Sequence, residues 1–168
     1  MKAYLDSSAI VKRYILEPGS SAVDHVFDEC WIGELSIATS IWNIGEVLGV
    51  FDARRGKGWL GDDEFRRVFR NFIGEIIRLL RLRVLELIPI PASILVETWP
   101  LILIGHIYEA DALQIQTCIY SGSDVFFSAD KKLIDVALRV GIKAVNIEDE
   151  NKVKDLLKNN DFSDRLKH

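Results

Sequence analysis

The sequence predicts an α/β fold, with a central, mostly parallel sheet covered by helices on both faces. Short apolar runs alternate with amphipathic stretches along nearly the whole chain, as in "FFSADKKLIDVALRVGIKAVNI" from Phe126 to Ile147. The runs are apolar at consecutive positions rather than at every second one, as strands buried on both faces require. There is no internal repeat, low-complexity tract or Pro/Ser-rich linker, so one domain over residues 1–158 is the simplest organisation. The polar end, 159–168, reads as a flexible tail.

Each element has a local reason. "KAYL" (2–5) is a short first strand, and "SSAIVKRYI" (7–15) can form a helix directly after it. Pro18 fits the first turn of a second helix that runs to about Asp28, because its missing N–H costs nothing there. "LSIAT" (35–39) is the second strand, and Ser40 is the N-cap of a helix to about Arg54. Gly56, Gly58 and Gly61 mark a loop. Asp62 or Asp63 then caps a long helix whose Phe65, Val68, Phe69, Phe72, Ile73, Ile76, Ile77 and Leu80 repeat at i, i+3, i+4, i+7. "LELIPI" (85–90) is a strand that Pro89 ends or keeps at an edge. Residues 92–99 are helical, and Pro100 disturbs the continuation. "EADALQIQTCIY" (109–120) is a helix closed by Gly122. "DVFFS" (124–128) is a strand, 130–140 a helix with Gly141 behind it, "KAVNI" (143–147) a strand, and 149–158 a last helix.

The 168 residues are 49% hydrophobic, enough for one real core. No apolar run reaches the roughly 18 residues of a membrane helix, and the N-terminus lacks the apolar centre of a secretion signal. A soluble, cytoplasmic protein is expected. Cys30 and Cys118 form no CxxC pair, which argues against a thiolate zinc site. The net charge of −4 hides an asymmetry, because residues 54–83 hold nine basic residues against four acids. Arg66, Arg67, Arg70, Arg78 and Arg81 fall in one arc of the long helix, opposite its apolar face. That arc is either an ordinary solvated face or a ridge for phosphates.

The acids carry the chemistry. In an open parallel sheet, sites form beyond the C-terminal ends of the strands. Asp6 follows the first strand, and Asp130 comes two residues after "DVFFS". Asp111 lies in the first turn of its helix. Each alone reads as a helix cap. Glu46 lies within an otherwise apolar helical stretch and needs a partner, yet positions 42 and 50 hold Trp and Val rather than a base. Gathered together, four carboxylates would repel one another and raise their pKa values. Mg²⁺ or Mn²⁺, which select hard oxygen ligands, would resolve that conflict. One or two such ions could promote phosphodiester hydrolysis.

"YLDSSAIVKRY", Glu46 in "IWNIGEVLGVF", "EADALQIQTC" and "FFSADKKLIDVALRVGIKAVNI" together resemble a PIN domain, most closely the VapC-type toxin ribonucleases. The resemblance spans about residues 2–148. It implies a three-layer α/β/α sandwich and a metal-dependent endoribonuclease, with RNA as substrate, a homodimeric state and a protein antitoxin as partner. It implies that Asp6, Glu46, Asp111 and Asp130 are the metal-binding and catalytic acids. Ser8 and Ser128 match supporting hydroxyls. The long helical segment at 54–83 departs from the compact members and bears on the toxin role more than on the nuclease role.

Other readings are weaker. A PIN-like module for RNA binding or assembly without catalysis has no need of all four acids. A nuclease acting in RNA processing or on DNA would keep them. A haloacid-dehalogenase-type phosphatase needs an acid where Ser8 stands. A receiver domain needs an acidic pair near the first strand, and the phosphate-binding GxxxxGK[ST] loop is absent. Trp59, in the glycine loop beside the basic helix, is the tryptophan placed to stack on a base.

Overall fold

The computed structural model describes the backbone of residues 1–165 and the side chains of residues 1–158. Among these residues five strands form one sheet in the order β3-β2-β1-β4-β5. They are β1 (Lys2–Leu5), β2 (Ser36–Ser40), β3 (Leu85–Ile88), β4 (Val125–Ser128) and β5 (Ala144–Asn146). Every pairing is parallel, and Tyr4 of the central β1 stands in register with Ala38 on one side and Phe126 on the other.

Parallel strands need covered faces, and alternate residues divide between the two. Ala3, Leu5, Ile37, Val125 and Phe127 enter the larger core under α1 (Ser7–Tyr14), α2 (Ser20–Trp31), α3 (Ile41–Gly56), α4 (Asp62–Leu82) and α8 (Glu150–Arg165). Tyr4, Ala38, Ile88 and Phe126 face the smaller core under α5 (Ala92–Gly105), α6 (Glu109–Ser121) and α7 (Lys131–Arg139). The result is the expected α/β/α sandwich. The expected flexible tail at 159–168 lies outside the residues described at side-chain level.

Three local expectations are corrected. Pro18 precedes the second helix instead of entering it, because Gly19 is the N-cap with φ +88°. A Cβ at Gly19 would sit 2.9 Å from the Ile147 carbonyl oxygen, so both the backbone angle and the close approach demand glycine. The long helix begins on Gly61, and Asp62, Asp63 and Glu64 act through its first turn rather than as side-chain caps. Pro100 does not end its helix, which runs on to Gly105. Its missing N–H orphans only the Val96 carbonyl, and both residues lie on the exposed side, where water can replace the bond. Elsewhere the caps are as expected. Asp6, Ser40 and Asp130 each accept backbone N–H bonds at the start of their helices.

The apolar face of α4 turns inward, with Val68, Phe72, Ile76 and Leu79 buried. Phe72 meets Tyr14 and Phe51 edge-on, at centroid distances of 5.2 and 5.8 Å. Each such pair is worth about 0.5–1.5 kcal/mol beyond its buried area. One acid interrupts this face. Glu75 is buried, and its carboxylate accepts from the Arg13 guanidinium (3.0 and 3.2 Å), the Tyr14 hydroxyl (2.9 Å) and the Trp31 indole N–H (2.8 Å). Arg13 also donates to Asp24 at 2.7 Å. The cluster pins α1, α2 and α4 together.

Burial pushes the Glu75 carboxyl up, but the bonds from Arg13, Trp31 and Tyr14 and the Arg13 charge outweigh it and hold it below its ordinary range. A carboxyl with its folded pKa lowered stabilises the protein above its unfolded pKa, and that stability is lost as pH falls through the folded value. Glu75→Gln is therefore expected to destabilise the protein by about 2–3 kcal/mol at pH 7. The gap to wild type should narrow below about pH 4. Urea unfolding at the two pH values checks both, and a gap independent of pH would refute the ionic account.

Candidate active site at the C-terminal edge of the sheet

The strand order reverses between β1 and β4, where β2 and β3 lie to one side and β5 to the other. Such a switch point opens a crevice beyond the strand ends. Asp6 leaves β1 and Asp130 follows β4, so these two acids flank it.

Asp6 is buried at 3% exposure. Its Oδ1 accepts from the Ser8 hydroxyl at 2.7 Å and the Ala9 N–H at 2.9 Å. Burial pushes its carboxyl up to about 6, against the pull of Ser128, Ser8 and the Ala9 N–H, and the charge of Glu46 adds to the rise. Ser8 also accepts the Ala129 N–H at 2.9 Å, and Ser128 accepts the Asp130 N–H at 2.9 Å. The two hydroxyls, 3.4 Å apart, lock the ends of β1 and β4 together.

Asp130 is exposed, and its Oδ1 accepts from Lys132 N and Leu133 N. Asp111 stands half-buried in the first turn of α6. Its carboxyl is raised first by burial and then by the charge of Asp130, with Lys132 opposing. The Lys132 ammonium is held by the His106 carbonyl at 2.5 Å. His106 itself takes φ +47° to end α5.

Glu46 does have a partner at i−4. The Trp42 indole N–H donates to its Oε1 at 3.0 Å, and the Gln114 amide donates to Oε2 at 3.1 Å. A search for basic partners passes over both, because a neutral N–H can satisfy a carboxylate as well as an ammonium can. Gln114 has one signal in the sequence: it is a polar residue inside the apolar stretch of α6, and it proves to be buried. Asn43 and Thr39, also buried, join it through hydrogen bonds of 2.5 and 2.7 Å.

The four acids thus form two electrostatically coupled pairs, Asp6 with Glu46 and Asp111 with Asp130. Among the described residues no three His, Cys, Asp or Glu side chains converge closely enough to hold a metal ion as they stand. Asp130 is turned to its own helix, whereas each Glu46 oxygen accepts one N–H, from Trp42 and from Gln114, and keeps a lone pair. The donor set itself is all oxygen and suits a hard divalent cation.

The arginine ridge is exposed throughout but does not lie at one level. Arg81 is close to the start of β3, at the opposite edge of the sheet, and Arg78 is one turn before it. Arg66, Arg67 and Arg70 precede Glu75 by five to nine residues, about 8–13 Å of helix, and approach the acid edge. Arg66 and Arg67 pair at 3.5 Å with Asp63 and Glu64 in the same helix. Trp59 is 69% exposed, with the Lys57 ammonium 4.8 Å from its ring centroid.

No family model matches the chain, and no curated protein sequence matches it. Solved structures do. The VapC20 toxin of Mycobacterium tuberculosis, described as cleaving the sarcin-ricin loop, aligns with a TM-score of 0.58 at 14% identity, over 86% of this chain and 98% of that one. PAE2754 from Pyrobaculum aerophilum aligns with a TM-score of 0.62 at 15% identity, over 95% and 89%. VapBC2 from Rickettsia felis, bound to a DNA fragment from its promoter, aligns with a TM-score of 0.59 at 14% identity, over 87% and 98%. At such identities the likeness is one of architecture, and the chain shares the α/β/α fold of these structures, as expected of a PIN-like domain.

Proposed function

We propose that the chain is a divalent-metal-dependent endoribonuclease and the toxin of a toxin–antitoxin pair. The observation that carries this reading is that Asp6, Glu46, Asp111 and Asp130 come from four different elements towards one sheet edge, where burial, and after it the charge of a neighbouring acid, raises the carboxyl pKa values of Asp6 and Asp111. Such coupling has a cost in stability, and a bound cation relieves it. The four carboxylates would hold Mg²⁺ or Mn²⁺. The ion would supply Lewis acidity, lowering the pKa of water and neutralising charge on the phosphate.

The chain's own groups do the rest. Ser8 and the Ala9 N–H fix the Asp6 carboxylate, and Ser128 sets the start of the turn to Asp130. Arg66, Arg67 and Arg70 add positive potential beside an otherwise acidic edge, which draws a polyphosphate backbone towards it. Arg78 and Arg81 would contact only a longer RNA that passes along α4.

The likeness to a VapBC complex supports a protein antitoxin as partner. A homodimer is supported by α5. Its Val96, Trp99, Leu103 and Ile104 are 50–74% exposed and are unaccounted for by the domain's own packing. The phenylalanine face of α4 is not the dimer surface, since Phe72 lies in the core. No described helix is long and apolar enough to cross a membrane, and the reading places the protein in the cytoplasm with its RNA. The engagement of Asp130 in the cap of its own helix favours a second reading, an RNA-binding or assembly module without catalysis.

Two experiments test these readings. Cleavage of end-labelled single-stranded RNA in Mn²⁺ or Mg²⁺ should vanish in EDTA and in Asp111→Asn, while the melting temperature of the variant stays within a few degrees of wild type. Equal cleavage by the variant would defeat the site assignment. Metal-independent behaviour with intact RNA binding would favour the module. Light scattering at micromolar concentration should give about twice 19.1 kDa for wild type and the monomer mass for a Trp99→Glu/Leu103→Glu variant. A monomeric wild type would rule the dimer out.

A further inference from the structure

The hydrogen bonds that reach Glu46 continue far beyond it. The Gln114 amide nitrogen donates to Glu46 Oε2 at 3.1 Å and to Asn43 Oδ1 at 2.5 Å, and its carbonyl accepts from the Tyr4 hydroxyl at 2.8 Å. Asn43 donates in turn to Thr39 Oγ1 at 2.7 Å and to the Leu5 carbonyl at 3.2 Å, and Thr39 donates to the same carbonyl at 2.8 Å. Tyr4, Thr39, Asn43 and Gln114 are 0–3% exposed.

Stability alone does not call for this chain. Replacing matched buried polar partners by apolar groups of like shape is close to neutral. The chain's members are instead placed with respect to the acids. Tyr4 lies two residues before Asp6 on the same side of its strand. Asn43 lies three residues before Glu46, and Gln114 three residues after Asp111, on shared helix faces. One amide of α6 therefore touches groups from β1 and α3, and these three elements carry or lead directly into Asp111, Asp6 and Glu46. Its orientation is forced. Only the NH₂ end can face the Glu46 carboxylate and the Asn43 carbonyl, which leaves the oxygen for Tyr4.

We propose that Gln114 is a positioning residue. It holds the Glu46 carboxylate in the orientation that takes the divalent cation and sets its position relative to Asp6 and Asp111. This rests on the reading of Glu46 as a metal ligand.

The test is a double-mutant cycle read by Mn²⁺ binding, using calorimetry and electron paramagnetic resonance on the full chain without RNA. The variants are Gln114→Met, Glu46→Gln and both together. Gln114→Met should weaken Mn²⁺ by about 10-fold or more. In the Glu46→Gln background it should add no more than about twofold, because its effect passes through that carboxylate. A general packing defect would weaken binding by the same factor in both backgrounds and would overturn the proposal, as would wild-type affinity in Gln114→Met. If Glu46→Gln binds Mn²⁺ like wild type, Glu46 is no ligand, and the underlying reading falls with it. If Gln114→Met does not fold, Tyr4→Phe carries the test. It removes one hydroxyl and keeps the ring stacked on Phe126 at 5.6 Å. Binding weaker by about threefold or more is then expected, and unchanged binding would overturn the proposal.

Discussion

The acid-lined edge depends on the way β1 ends. Leu5 is the last residue of the central strand and is fully buried, so its carbonyl is closed to water. An unsatisfied buried carbonyl there would cost about 1–3 kcal/mol. Thr39 and Asn43 supply two donors to it. The next residue, Asp6, turns the chain into α1 by accepting the Ala9 N–H, so the same turn that satisfies the backbone buries a carboxylate. Everything else at the edge is tied to this junction. Ser8 and Ser128 carry it across to β4 and Asp130, and Asn43 and Gln114 carry it to α3 and Glu46.

Among the described residues, the two buried acids illustrate opposite uses of a carboxylate. Glu75 is matched by an arginine, an indole and a phenol, and it prefers the ionised form even out of water. It serves as a rivet between three helices. Asp6 has neutral donors only; burial, with a smaller addition from the charge of Glu46, raises its pKa. It is held in place at some cost in stability, and a cation would reverse that cost. Unrelieved charge beside a well-matched scaffold is the pattern expected where chemistry is done.

The elements that were legible in the sequence are those governed by near neighbours. Apolar runs gave the strands and the helix starts within a residue or two, though α2, α5 and α8 run three or more residues past their expected ends, and Asp6, Ser40 and Asp130 revealed helix starts because a cap acts within three residues. The misread places were decided from further away. Pro18 was displaced by the packing of Gly19 on Ile147. The helix through Pro100 survives because that side is wet. Trp42, passed over as a partner because it is no base, turns its indole N–H to Glu46. Gln114 was only an oddity in an apolar helix.

By itself the sequence determined the α/β class, the order of the elements, and the four acids as candidates, three at strand or helix ends and Glu46 within a helix. These follow from short-range periodicity and capping, which depend on residues a few positions apart. Only the tertiary structure decided how those acids relate. It paired Asp6 with Glu46 and Asp111 with Asp130, divided the arginines of α4 between two edges of the sheet, and routed one amide between three elements. Those relations join residues 19 to 110 positions apart, through contacts that exist only once the sheet has assembled.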